Sequence, residues 1–220
     1  NLDKYNNGTE IVYTLTEEPV ANYDSTISGD AATGFTVTNT NTEKVSVDVT
    51  KNWVGPATDS VTIKLLADGA EVESAVLTAA EHWVHTFSNL PKYAADGHEI
   101  VYTVDEYDVP SYIKAIEGTS STGFTVTNTI TGKLDIPVKK VWVGPATDSV
   151  TVNLYADGVK VDTVQLTAAN QWKHTFANLD KYENGREIVY TVDEVLIPGY
   201  KTKITGDAQT GFTITNSKET

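Results

Sequence analysis

The chain has 220 residues, no cysteine, no methionine and a formal net charge of −14. The acidic balance argues against nucleic acid and anionic membranes as partners, and the missing cysteines exclude disulfides, thiolate metal sites and a thiol nucleophile. No apolar run is long enough to insert in a bilayer, and abundant Thr, Val, Tyr and Ile without helix-period stretches point to an all-β protein.

The chain opens on the phrase NLDKYNNGTEIVYTLTE from Asn1, and TGFTVTN closes at Asn39. The first phrase returns as NLPKYAADGHEIVYTVDE from Asn89 and NLDKYENGREIVYTVDE from Asn178. The closing phrase returns ending at Asn128, and as TGFTITN ending at Asn216. The period is about 90 residues, a length that marks a repeated domain. KNWVGPATDSVTIKLLADG from Lys51 recurs as KKVWVGPATDSVTVNLYADG from Lys139. The organisation read from this is a C-terminal half-repeat over 1–43 and two full repeats over 44–131 and 132–220. The joints Thr40–Lys44 and Thr131–Lys133 are short, which restricts relative motion of neighbouring repeats. Because the chain opens in mid-pattern, it reads as a segment of something longer.

Strands follow in order through the first full repeat. Val45–Trp53 alternates strictly, with Val45, Val47, Val49, Lys51 and Trp53 on one face. A Gly55–Pro56 loop leads to Ser60–Ala67, the Asp68–Gly69 turn and a returning strand at Glu71–Leu77. Thr78–Glu81 holds one helical turn at most. Trp83–Phe87, Glu99–Tyr107, Tyr112–Ile116 and Thr122–Thr129 complete the set. About seven short strands with turns between them predict an antiparallel β-sandwich.

Parity exposes three polar residues on inward faces. Lys51 lies between Val49 and Trp53; Glu106 shares a face with Ile100, Tyr102 and Val104; Asn128 shares one with Phe124 and Val126. The second full repeat has Lys140, Glu194 and Asn216 at the matching places, and the half-repeat has Glu17 and Asn39 without a lysine strand. An isolated buried ammonium is costly, so it must be paired, neutralised or consumed. In a dry core, burial lowers a lysine pKa and makes the amine nucleophilic. A protonated Glu106 can hydrogen-bond the Asn128 side-chain carbonyl and polarise it, and attack of Lys51 on that amide, with Glu106 shuttling the proton, would expel ammonia and leave an isopeptide bond. The alternative for the same residues is a buried salt bridge with Asn128 as a hydrogen-bonding neighbour.

The combination resembles collagen-adhesin B-type (Cna B-type) domains of Gram-positive surface adhesins and pilins. The resemblance rests on the lysine two before the tryptophan (Lys51, Lys140), the glutamate ending YTVDE (Glu106, Glu194) and the closing asparagine (Asn128, Asn216). It implies an inverse immunoglobulin-like, transthyretin-like sandwich, with crosslinks Lys51–Asn128 and Lys140–Asn216 joining first and last strands and Glu106 and Glu194 as helper acids. Glu17 and Asn39 are then an unpaired remnant, and residues 1–43 are expected to be completed by an upstream segment or by another molecule, or else to be poorly ordered.

The functional expectation is a structural stalk in an extracellular, cell-wall-anchored protein, its anchor and signal peptide outside this segment, with neighbouring repeats as its partners. The alternative is an adhesive module contacting host matrix or glycan, and any host ligand is expected to engage other regions. The matching loops Val54–Asp59 and Val143–Asp148, VGPATD in both copies, suit a scaffold. No nucleophile elbow, phosphate loop or ordered calcium loop is present, so no enzyme activity, cofactor or metal is expected. His85 and His174 share strand parity with Phe87 and Phe176 and read as core-rim residues, while His82 and His98 lack counterparts.

Overall fold

A computed structural model describes residues 1–219. The chain divides into two compact units, one of Asn1–Lys51, Asp59–Tyr107 and Ile116–Val126, the other of Asn52–Thr58, Asp108–Ala115 and Thr127–Thr220. The division therefore runs through the first full repeat rather than along the joint at Thr131–Lys133.

The second full repeat lies wholly in the second unit. One of its sheets has the strand order Lys173–Asp180, Lys133–Val143, Gly211–Lys218, Tyr200–Asp207; the other has Val159–Thr167, Ser149–Ala156, Tyr190–Glu194. Alternation turns one face of each sheet inward. Ile136, Val138, Val152, Leu154, Leu166, Phe176 and Ile214 are 0–2% exposed and form the core between the sheets. Only one turn of 3-10 helix intervenes, at Ala168–Asn170, and its end takes Gln171 and Trp172 through positive φ.

One pairing departs from the expected antiparallel arrangement. The first strand, Lys133–Val143, and the last, Gly211–Lys218, run parallel, with Lys140 opposite Ile214 and Trp142 opposite Asn216. Both strands start at the same end of the repeat, so a short turn cannot join them; the intervening strands form the crossover that parallel neighbours require.

In the first full repeat, strands occupy Lys44–Val54, Ser60–Ala67, Ala70–Thr78, Val84–Pro91, Tyr102–Glu106, Tyr112–Thr119 and Gly123–Ile130. They match the sequence reading closely, including the single helical turn, at Ala79–Glu81. The difference is at Glu99–Tyr107, where the strand starts only at Tyr102. Glu99 instead bridges back to Tyr93. In the second full repeat this feature is the hairpin Tyr182–Glu183 with Arg186–Glu187, whose local pairing wins over continuation of the strand.

The half-repeat carries the hairpin Tyr23–Asp30 with Gly34–Asn41 and the short pair Tyr5–Asn6 with Thr9–Glu10. Its turn is held by Asp30, whose Oδ1 accepts from the backbone N–H groups of Ala32 and Thr33 at 2.9 and 2.7 Å. Tyr23 and Val37, on strands that a complete sandwich would cover, are 44% and 43% exposed.

Candidate functional site

In the second full repeat the three singled-out residues meet. Lys140 and Asn216 project from the adjacent parallel strands of one sheet, and Glu194 from the last strand of the other, where it stands opposite Val152. The site thus needs both layers of the sandwich. Lys140 Nζ lies 2.7 Å from Glu194 Oε2, and both side chains are 0% exposed. Asn216, also 0% exposed, donates through Nδ2 to Glu194 Oε1 at 2.6 Å. The strand carrying Lys140 is pinned by its backbone N–H to the Trp172 carbonyl at 2.8 Å. The ammonium sits 4.7 Å from the centre of the Trp142 ring, which in turn makes edge contacts with Trp172 and Tyr200, both at 5.3 Å. These rings keep water out while offering the cation a π face.

Burial pushes the Lys140 amine below its ordinary pKa of 10.5, with the hydrogen bond and charge of Glu194 opposing. Lys51 is shifted the same way for the same reason, opposed by Glu106. Both amines are therefore easier to deprotonate than an exposed lysine.

The polarity of one hydrogen bond differs from the sequence reading. There, the glutamate in its acid form donates to the asparagine carbonyl; here, Nδ2 donates to Glu194, and Oδ1 of Asn216 accepts no hydrogen bond among the described residues. A half-turn of the amide exchanges the nearly isosteric N and O and converts one arrangement into the other.

The first full repeat reproduces the pairing. Lys51 and Glu106 side chains are 0% and 1% exposed, with Nζ 3.3 Å from Oε2. Lys51 Nζ also donates to the Val126 carbonyl at 3.3 Å, and its backbone N–H to the Trp83 carbonyl at 2.8 Å. Asn128, two residues beyond Val126 and so on the same face of the strand, is 1% exposed. In the half-repeat, Asn39 Nδ2 donates to Glu17 Oε1 at 2.9 Å, with both residues exposed. Hydrogen bonds from Ser25 and Asn39 hold the Glu17 carboxyl below its usual value.

Sequence reasoning missed one participant. Thr202 Oγ1 donates to Glu194 Oε1 at 3.3 Å, and Thr202 lies directly opposite Asn216 in the sheet. Ser25 lies opposite Asn39 in the same way. Cross-strand register was the signal that could have found them. His85 and His174 are half-buried and meet Phe87 and Phe176 edge-on at 4.6 and 4.8 Å. His98, exposed, is held between Asp68 and Asp96. Among the described residues no three His, Asp or Glu side chains gather as a metal site.

Comparison with known proteins follows this geometry. The sequence model of the Cna protein B-type domain matches residues 1–40, 47–129 and 136–217. A collagen adhesin of Staphylococcus aureus is 35% identical over 98% of the chain, which spans 19% of that protein's length. The crystal structure of two B repeat units (B1B2) of the collagen-binding protein of Staphylococcus aureus is 33% identical, covering 99% of this chain and 60% of that one, with a TM-score of 0.50. The single B1 unit of the same protein is 31% identical over 81% of this chain and 100% of that one, with a TM-score of 0.39.

Proposed function

The chain belongs to the Cna protein B-type domain family, and from that premise we propose that its full repeats are stalk segments of a Gram-positive surface protein, each locked by its own Lys–Asn isopeptide bond. Members of this family are structural modules, not enzymes, and here the chemistry is a single event that consumes its own residues. The observation that carries the reading is the dry contact of Lys140 and Asn216 with one carboxylate, Glu194.

The step balances as a transamidation. The neutral Lys140 amine adds to Cγ of Asn216 while Glu194 in its acid form hydrogen-bonds the amide oxygen. Glu194 then moves the amine proton to the departing nitrogen, the Cγ–Nδ2 bond breaks, and ammonia leaves as the Cγ–Nζ amide forms. The fold holds the reactants together, so no bimolecular encounter is needed. Lys51, Glu106 and Asn128 take the same roles in the first full repeat.

The bond joins the first strand to the last. A load entering at one terminal strand would cross to the other through a covalent link, leaving the strands between largely unloaded. By analogy with loop closure by a disulfide, a link across a segment of this size stabilises by about 4–5 kcal/mol. Unlike a disulfide, an amide is indifferent to redox conditions, which suits an extracellular, wall-anchored location. The half-repeat fits the scheme as the Glu–Asn half of a further unit, completed by a lysine-bearing strand from upstream or from another molecule. The relative's name refers to collagen; contact of this segment with a host ligand would need a surface that differs between repeats, and the shared VGPATD loops do not offer one. Intact mass tests the crosslinks: the chain is expected to weigh two ammonia molecules less than its sequence, and an unchanged mass would refute the reaction.

A further inference from the structure

The VGPATD loop is repeated without change, yet none of its residues takes part in the Lys–Glu–Asn chemistry. The structure gives it another role. In the second unit, the turn Asn184–Gly185 joins the two-residue strands Tyr182–Glu183 and Arg186–Glu187 with both central residues at positive φ, 50° and 79°, as a tight hairpin of this kind requires. The tip of this hairpin lies directly on the backbone of the Val54–Pro56 loop. A Cβ at Gly185 would lie 2.4 Å from Gly55 N and 2.7 Å from the Val54 carbonyl carbon. No side chain fits there, and the obstacles are backbone atoms that cannot swing aside. The loop is itself held firmly: the Tyr112 hydroxyl donates to the Pro56 carbonyl, and Gly55, at φ 117°, lies against Ile130, whose Cγ2 would be 2.6 Å from an added Cβ. The hairpin's base is anchored as well, by Lys181 N–H to the Gly132 carbonyl at 2.9 Å.

Turn geometry alone does not account for the close approach. The same Asn–Gly turn in the half-repeat, Asn7–Gly8, has matching angles of 48° and 84° with nothing within 4 Å of an added Cβ at Gly8. Gly97, at the corresponding place in the first full repeat, is equally open.

We propose that the Val54–Pro56 loop is a docking face for the Asn–Gly hairpin of the following repeat, and that Gly185 admits the backbone-to-backbone contact that sets the joint between consecutive repeats. The partner such a face fits is a tight hairpin with glycine at its tip. This explains why a loop outside the crosslink chemistry is the same in both copies. Val143–Pro145 has the matching build, with Gly144 at φ 115° and the Tyr200 hydroxyl on the Pro145 carbonyl.

The test is a distance distribution between spin labels at Ile113→Cys and Val159→Cys, both within the second unit. Both sites are exposed, and the two cysteines are unique in a chain that has none of its own. Gly185→Ala and Gly185→Asn are expected to broaden the distribution about twofold, as loss of the contact between the loop of one repeat and the hairpin of the next releases relative motion. Asparagine tolerates positive φ, so its effect isolates the clash from backbone strain. Gly97→Ala, strained but free of the clash, should leave the width unchanged. Near-UV circular dichroism of the tryptophans should be native in all three, since the hairpin lies outside the cores. Widths unchanged in both Gly185 variants, or broadened equally by Gly97→Ala, would overturn the proposal; so would a Gly185 variant whose tryptophan signal collapses, since the glycine would then be serving its own repeat.

Discussion

The half-repeat and the second full repeat contain the same hydrogen bond in opposite settings. Asn39 to Glu17 and Asn216 to Glu194 are both amide-to-carboxylate contacts, at 2.9 and 2.6 Å, each built on a hairpin whose register puts Ser25 or Thr202 opposite the asparagine. What differs is the first strand. Where Lys133–Val143 lies beside the last strand, Asn216 is fully buried and a lysine meets the carboxylate. Where no such strand lies, Asn39 and Glu17 face solvent, and the carboxylate is held in its ionised form by its donors. Hydrogen-bond geometry is a local property of the hairpin, while burial and the approach of a lysine come from the strand that closes the sandwich over it. Water screens the exposed pair; exclusion of water lowers the lysine pKa in the buried trio.

Removing the acid should break this comparison most visibly. Glu194→Ala is expected to leave the second crosslink unformed, raising the mass by one ammonia while the first crosslink persists. Chemical denaturation should show the second full repeat losing about 4–5 kcal/mol of loop-closure stabilisation, and more where the buried ammonium is left unpaired. A crosslink that still forms would remove Glu194 from its role.

The next effect is on pH dependence. The reactive form is the neutral amine, and burial places the lysine pKa below 10.5. Crosslinking of freshly refolded chain, followed by mass, should therefore quicken as pH rises from the acid side and pass through a maximum, because the step needs a neutral amine and a carboxylic acid together. Glu17 responds in the other direction. Its folded-state pKa is depressed, so its contribution is present above the unfolded value and lost as pH falls through the folded one. A crosslinking rate that is fastest at acid pH, where the amine is fully protonated, would contradict the nucleophile assignment.

The smallest effect separates the two hydroxyls. Thr202→Val should cost the second full repeat about 1 kcal/mol, the usual net worth of one hydrogen bond, read from denaturation midpoints. Ser25→Ala should leave stability nearly unchanged and move the Glu17 titration, followed by NMR, up toward 4.5, because Ser25 is the largest influence holding it down. Equal stability losses at both sites would show that burial is not what distinguishes them.

Much of this molecule was legible in its sequence. Alternation along Val45–Trp53 put Lys51 on an inward face, and the same count selected Glu106, Asn128 and their counterparts, because side chains on a strand must alternate. The ninety-residue period located the repeats without any packing information. What tertiary structure alone decided is which strands become neighbours. Local periodicity names the face a residue occupies but carries no record of its partner across the sheet, since pairing joins segments far apart in the chain. The parallel alignment of Lys140 with Ile214, the reach of Glu194 from the opposite sheet, the hydroxyl of Thr202 and the seat of Gly185 on the Val54–Gly55 backbone all depend on such non-local register. The sequence by itself singled out the inward lysine, glutamate and asparagine; whether they touch was decided by the packing of two sheets around a dry core.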